Sequence, residues 1–374
     1  MFNKTTQEKP FRLYNEMHPN RATRLFGGRA SGIRNWDDQL VDIWLDFQKA
    51  LFAEYWIPEE VRMGKDIEQY ALEMSREERI TYERVSGALN WLDSMASDIV
   101  TLLFMTTSDP ALRSVLTLIA SFETTHNVSY EHMTSSVIGF EEKQKHFAKV
   151  RELPLLAKRN KHILVDLENM TDVLVKYLKR KIELGVSDLE MTQEEIQTIF
   201  KGLVAYQILE GLYFSGGFVY FHSLARDNKM IESNSMINLI KADENQHSEI
   251  FGMIIKVLVT ENPFLNTKEN MDWVMGYIRE SVQLEKEWTA WLYEDIDTLS
   301  VPEYHEYVEY LANLICRNAG FQEPYPDNHE LKAKWIVTYG SKSSGNNAIG
   351  VKADFLQTNV INYQHTDGND DFDL

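Results

Sequence analysis

One cysteine, Cys316, stands in 374 residues. That scarcity excludes an internal disulfide, a cysteine-rich zinc site and a dithiol redox centre within the chain. A reaction that needs a pair of reducing thiols must find them on another polypeptide. Basic residues are also few: Lys+Arg number 38 against 57 Asp+Glu, a net charge of −19. Such a balance argues against an extended phosphate-binding surface, so nucleic acid is not an expected partner. No run of 18 apolar residues exists, and the start (MFNKTTQEKPF) has no apolar core of a signal peptide. The expectation is a cytoplasmic protein with no membrane span. Proline and glycine are sparse, at 9 and 18, and they punctuate long helical periods.

Helices are predicted over 36–54, 76–106, 112–140, 154–184, 193–225, 231–261, 268–296 and 301–318. Breakers fall between them at Ser108-Asp109-Pro110, Pro154, Asn262-Pro263 and Val301-Pro302. No strand-rich region and no fixed-period repeat is visible, so the fold class is all-α. Residues 1–35 are polar, with a Gly27-Gly28 pair, and read as an N-terminal arm. The stretch 36–339 reads as one helical domain. From 340 to 374 the composition turns to Ser, Gly, Asn and Asp with isolated apolar residues, too little to fold alone. This reads as a flexible tail, and Phe372 and Leu374 in their acidic context suit a groove on a partner.

Leu203 to Ala225 is apolar and aromatic with one formal charge inside it, Glu210. A helix greasy on all sides is a buried helix. A buried carboxylate must be protonated, salt-bridged or bound to a metal, because leaving it unpaired costs several kcal/mol.

Two of the ten histidines follow a glutamate by three residues: Glu123-Thr-Thr-His126 and Glu244-Asn-Gln-His247. On a helix, i and i+3 share a face. Chance alone supplies roughly one such pair among ten histidines, so the context decides. Glu123 lies in SVLTLIASFETTH, with no other charge after Arg113. Asp93 lies in GALNWLDSMASDIVTLLFM, and Asp98, five residues on, is its rival off that face. Four helices thus each bring an inward acid, and two of them add a histidine. That pattern marks the di-iron and di-manganese bundles of the ferritin-like class. Four carboxylates and two neutral imidazoles balance two divalent cations, and their N/O donors suit Fe or Mn. His222, twelve residues past Glu210, reads as a core or boundary histidine.

Tyr130 stands four residues after His126, one turn along the same face. Phe214 and Phe218 follow Glu210 by four and eight, and Ile240 precedes Glu244 by four. These apolar side chains are expected to wrap Tyr130. A phenol kept dry beside a redox-active metal pair is suited to storing one oxidising equivalent.

Taken together, Asp93, Glu123-x-x-His126-x-x-x-Tyr130, Glu210-x-x-x-Phe214-x-x-x-Phe218 and Asp243-Glu244-x-x-His247 resemble the radical-generating small subunit of class I ribonucleotide reductase. The resemblance runs from about Phe52 to Ile250, and Tyr55–Glu60 (YWIPEE) resembles the family's Trp-x-Pro-Glu-Glu segment. It implies two Fe or two Mn ions per chain that activate oxygen and oxidise Tyr130 to a stable radical. The oxidising equivalent then passes to a cysteine on the large catalytic subunit, which reduces ribonucleotides to deoxyribonucleotides. By the same matching, Trp56, Asp243 and His126 correspond to the internal transfer path, and Tyr363 in the docking tail to a relay tyrosine. A homodimer is also implied. This chain departs from the family at Ala242, where some members carry Arg, and in the closeness of Tyr363 to the end. The link between Asp93 and Glu123 is also about one residue short. Two other functions fit such a bundle: a di-iron oxidase or monooxygenase acting on an organic substrate, and a metal-storing protein.

Overall fold

The computed structural model describes residues 21–29, 33–186 and 188–341. Among them the chain forms twelve α-helices joined by short turns, and no strand. The long ones are α3 (Arg76–Thr106), α4 (Pro110–Ile138), α6 (Pro154–Leu184), α9 (Ile231–Glu261) and α10 (Lys268–Leu292). Between them run α7 (Gln193–Ile208), α8 (Ser215–Arg226) and α11 (Val301–Ala319). No helix among the described residues is long and apolar enough to cross a membrane.

Local chemistry explains the boundaries. Ser75 and Glu78 form a reciprocal capping box at the start of α3. Asp109 caps α4 by accepting from the Ala111 backbone N–H at 2.8 Å, with Pro110 at the first helical position. The neighbouring Ser108 donates instead to the Arg24 carbonyl at 2.7 Å. Thr192 and Glu195 box the start of α7. The positive φ of 71° at Gly139 ends α4, a backbone state glycine adopts without strain.

Three short helices, α1 (Ile43–Ala53), α2 (Gly64–Leu72) and α5 (Phe140–Val150), flank the bundle. α2 and α5 lie outside the helices read from the sequence. Each buries only two side chains, so neither carries a strong apolar stripe. The last, α12 (Lys334–Tyr339), closes the described chain.

The helix predicted over 193–225 is continuous in space but not uniform. Leu209–Phe214 is π-helical, joining α7 to α8. Such a bulge widens one turn and shifts the hydrogen-bond register, and it is frequent at functional sites. Glu210 sits inside it. The adjacent Gly211 is held close to its neighbours: a Cβ there would lie 2.2 Å from Ile315 Cγ2 and 2.7 Å from Ser248 Oγ. The widened turn therefore packs tightly against α9 and α11.

α3 lies along α4, and α9 packs on α4, on the α7–α8 segment and on α11. These elements enclose the centre of the molecule; α6 covers α7 and α3 from outside, and α10 packs on α6 and α11. Residues 21–29 are anchored to this body. Leu25 and Phe26 are buried, Thr107 Oγ1 donates to the Leu25 carbonyl at 2.7 Å, and the Leu25 N–H donates to Glu261 Oε2 at 3.0 Å.

Candidate metal centre

Asp93 projects from the middle of α3, Glu123 and His126 from α4, Glu210 from the π-helical turn, and Glu244 and His247 from α9. All six side chains are fully buried. They form two groups whose donor atoms lie within 4.8 Å of one another: Asp93, Glu123, His126 and Glu244; and Glu123, Glu210, Glu244 and His247. Glu123 and Glu244 belong to both, the arrangement that two bridged cations require.

The two histidines face this cluster in parallel fashion. His126 Nδ1 lies 2.9 Å from Glu244 Oε1, 3.7 Å from Glu123 Oε2 and 3.8 Å from Asp93 Oδ1. His247 Nδ1 lies 3.0 Å from Glu244 Oε2, 3.1 Å from Glu123 Oε1 and 3.7 Å from Glu210 Oε2. Both ring nitrogens thus point at carboxylate oxygens, with the i, i+3 spacing of each Glu-His pair setting that geometry.

The donor set fits divalent cations. Both oxygens of Asp93, Glu123 and Glu210 lack hydrogen-bond donors, as do Glu244 Oε1 and His126 Nδ1. Among the described residues no lysine or arginine pairs with any of these carboxylates, so protein counter-charge comes from the two imidazoles alone. Burial, and then the Glu123 charge, pushes Asp93 well above the usual carboxylate range; burial with Glu123 and Glu244 does the same to Glu210. For Glu244 burial acts upward, but His126 and hydrogen bonds from its neighbours hold it below its ordinary value. Orphaned buried oxygens at a site of four acids are satisfied by cations, and N/O ligation suits Fe or Mn.

On one side of the cluster stands a hydrogen-bonded chain. Trp56 Nε1 donates to Asp243 Oδ2 at 2.7 Å, and that oxygen lies 3.1 Å from His126 Nε2. The Trp56 and His126 rings stack with centroids 6.1 Å apart. With a cation bound, Asp243 would keep the proton on His126 Nε2 and leave Nδ1 free as the donor atom that faces the carboxylates.

Tyr130 is fully buried, and its hydroxyl has no hydrogen-bond partner. Burial, followed by Asp93, Glu244, Glu123 and Glu210, pushes the phenol well above its usual range. The same four acids that build the cluster thus surround it electrostatically. Phe214, Phe218 and Ile240 are fully buried, and the two phenylalanine rings stack at 6.3 Å.

Other residues fall elsewhere. Asp98 is exposed on the outer side of α3. His222 is buried, with Nδ1 2.7 Å from Asn234 Oδ1, and burial and Lys241 hold it neutral. Tyr363 lies outside the described residues. Sequence reasoning did not single out Tyr206, a buried phenol four residues before Glu210, because it is one of several aromatics in the same greasy run. It also passed over a buried ion pair between Arg159 and Glu285, at 3.0 Å, whose acid accepts from Tyr304.

An all-α bundle enclosing a buried two-histidine, four-carboxylate cluster with two shared acids defines the ferritin-like dinuclear class. Within it, this chain belongs to the family "ribonucleotide reductase, small chain", whose model matches residues 34–332. It is similar to the ribonucleoside-diphosphate reductase subunit beta of Halalkalibacterium halodurans, 27% identical over 97% of each chain. The subunit beta of Treponema pallidum is 27% identical over 91% of this chain and 90% of that one. The ribonucleotide reductase R2 subunit from Clostridium botulinum superposes with a TM-score of 0.77. It is 26% identical, over 88% of this chain and 98% of that one.

Proposed function

We propose that this small chain of ribonucleoside-diphosphate reductase generates and stores a tyrosyl radical at Tyr130 for its large subunit. In this reading Asp93, Glu123, His126, Glu210, Glu244 and His247 hold two iron or two manganese ions. Bound there, the metal pair supplies oxygen-driven one-electron oxidation. The observation that carries the reading is the unbroken contact from Trp56 through Asp243 to His126, ending on the carboxylate cluster beside Tyr130.

Each side chain then has a defined task. Glu123 and Glu244, common to both donor groups, would serve both metal positions, and Asp93 and Glu210 would complete one each. Tyr130 keeps its oxidised form because its hydroxyl is dry and out of contact with water. Asp243 accepts the indole N–H and would take that proton when Trp56 passes an electron to the oxidised centre, returning it when Trp56 recovers an electron from the large subunit. Phe214, Phe218 and Ile240 line the interior with groups that have no hydrogen to offer at a polar atom.

The direct-oxidase reading needs room at the metals for an organic substrate. Complete burial of the six ligands, Tyr130 and the three apolar residues speaks against it. The single Cys316 is buried, and burial pushes its thiol up to about 12, which suits no role as a substrate-reducing thiol. Substrate reduction is therefore placed on the large subunit. We further assign 36–339 as the catalytic helical domain, 1–35 as an arm, a homodimer as the assembly, and 340–374, with Tyr363 as relay, as the docking tail.

The test is turnover of ribonucleoside diphosphates by the metal-loaded chain with its large subunit. Activity that disappears in Tyr130→Phe while two metals are retained supports the reading. Undiminished activity in that variant overturns it.

A further inference from the structure

Glu210, a ligand of the cluster, and Tyr206, a buried phenol, both lack a hydrogen-bond partner and stand four residues apart. Glu123 and Glu244 each lie within 3.1 Å of a histidine nitrogen. Glu210 does not: His247 Nδ1 is 3.7 Å away, and neither of its oxygens accepts a hydrogen bond. Four residues earlier, Tyr206 is fully buried and its hydroxyl also lacks a partner.

Positions i and i+4 face the same way on a helix, and Tyr206 lies in the last turn of α7, which runs into the π-helical turn that carries Glu210. The Tyr206 ring is pinned against Phe251, with centroids 4.2 Å apart. Burial, then the charges of Glu123 and Glu210, pushes this phenol well above its ordinary range, so its hydroxyl lies within the field of the second metal position. A phenol O–H is a donor and an ionised carboxylate is an acceptor only. A buried phenol O–H and a carboxylate oxygen that no cation takes can satisfy each other.

We propose that Tyr206 is a positioning residue: its hydroxyl donates to the Glu210 oxygen that is not turned toward a metal. It would thereby hold Glu210 as a ligand of the position it shares with His247. The π-helical turn gives this role a purpose. Glu210 stands on backbone outside the regular α-helical register, and a second contact fixes its carboxylate where the helix alone does not. His126 receives the corresponding support from Asp243 on the opposite half. Each half of the centre then has its own outer anchor, Asp243 for one and Tyr206 for the other.

This inference rests on the metal-binding reading, and the experiment separates the two. Manganese(II) is titrated into the metal-free protein, and free ion is followed by its six-line electron paramagnetic resonance signal. Wild type is expected to take up two ions. Tyr206→Phe, which removes one oxygen and keeps the ring, is expected to bind the first normally and the second about 10-fold more weakly. Tyr213→Phe removes another buried, unpartnered phenol from the same segment, one that packs under Arg159; it is expected to match wild type.

Adding Tyr206→Phe to Glu210→Asp, whose shortened carboxylate is out of reach, is expected to weaken the second ion no further. A general loss of packing would persist in that background. Equal affinity for both ions in Tyr206→Phe overturns the inference and leaves the metal reading standing. Equal weakening with and without Glu210→Asp also overturns it. Wild type that takes up fewer than two ions overturns both.

Discussion

Trp56 and Asp243 are 187 residues apart in the chain, yet the indole Nε1 of one donates to Oδ2 of the other at 2.7 Å. The same oxygen lies 3.1 Å from His126 Nε2. One carboxylate therefore joins a tryptophan to a residue of the carboxylate cluster. Trp56 is only 3% exposed, but Tyr55, its neighbour, is 58% exposed. The contact thus leads from the interior to within one residue of the surface.

Trp56→Phe keeps an aromatic ring and deletes the indole N–H that donates to Asp243. Tyrosyl radical yield is expected to stay within about 2-fold of wild type, while turnover with the large subunit falls by at least about 100-fold, in line with an essential link in a unit. A spectroscopic radical count beside a product assay measures both. Wild-type turnover would show that the link is packing alone.

Glu210→Ala removes one of two acids that belong to a single metal position. Elemental analysis of the purified variant is expected to show loss of about one metal equivalent, with the fold retained, because the change also deletes a buried carboxylate that burial and like charges disfavour. Full loading with two metals would refute the ligand role.

Arg159 and Glu285 form an ion pair at 3.0 Å whose side chains are 3% and 1% exposed. The guanidinium also stacks on the Tyr213 ring at 4.2 Å. Arg159→Ala leaves Glu285 with Tyr304 alone, and breaking a buried pair from one side costs about 3–5 kcal/mol. Chemical denaturation should register a loss in that range. A change below about 1 kcal/mol would mean that water reaches the pair.

Glu261 joins the end of α9 to the anchored segment by accepting from the Leu25 N–H. Burial pushes it up to about 7, opposed by that hydrogen bond and Arg24 and aided by Asp109. A carboxyl raised on folding contributes stability that is fully present below its ordinary value of 4.5 and is lost as pH rises through about 7. Stability measured by urea denaturation is expected to fall between pH 5 and 8, and Glu261→Gln is expected to flatten that fall. An unchanged slope in the variant would assign it to other groups.

The legible features were those with a period. Glu123-x-x-His126 and Glu244-x-x-His247 announce themselves because i, i+3 spacing on a helix fixes the face, and Glu210 because a lone charge in an apolar run needs a reason. Asp93 and Asp98 were separable on the same ground, and Asp98 is exposed. The π-helical turn at Leu209–Phe214 left no such trace: it changes a backbone hydrogen-bond register, and its side chains read like those of any buried helix. Tyr206 was hidden for the opposite reason, one phenol among many in a uniformly apolar stretch. Arg159 and Glu285 meet across 126 positions in ordinary charged surroundings, so no local pattern links them. α5 was missed because its two buried residues make no stripe.

The central claim is that Tyr130 holds the oxidising equivalent of a metal-loaded centre. Its most direct test is an electron paramagnetic resonance spectrum of the protein reconstituted aerobically with Fe(II), beside Tyr130→Phe prepared the same way. The account predicts a sharp signal near g of about 2, the region of organic radicals stabilised in dry interiors, that vanishes in the variant while the metal content of both stays equal. An identical signal in the variant, or two metals bound in wild type with no radical signal, would contradict it.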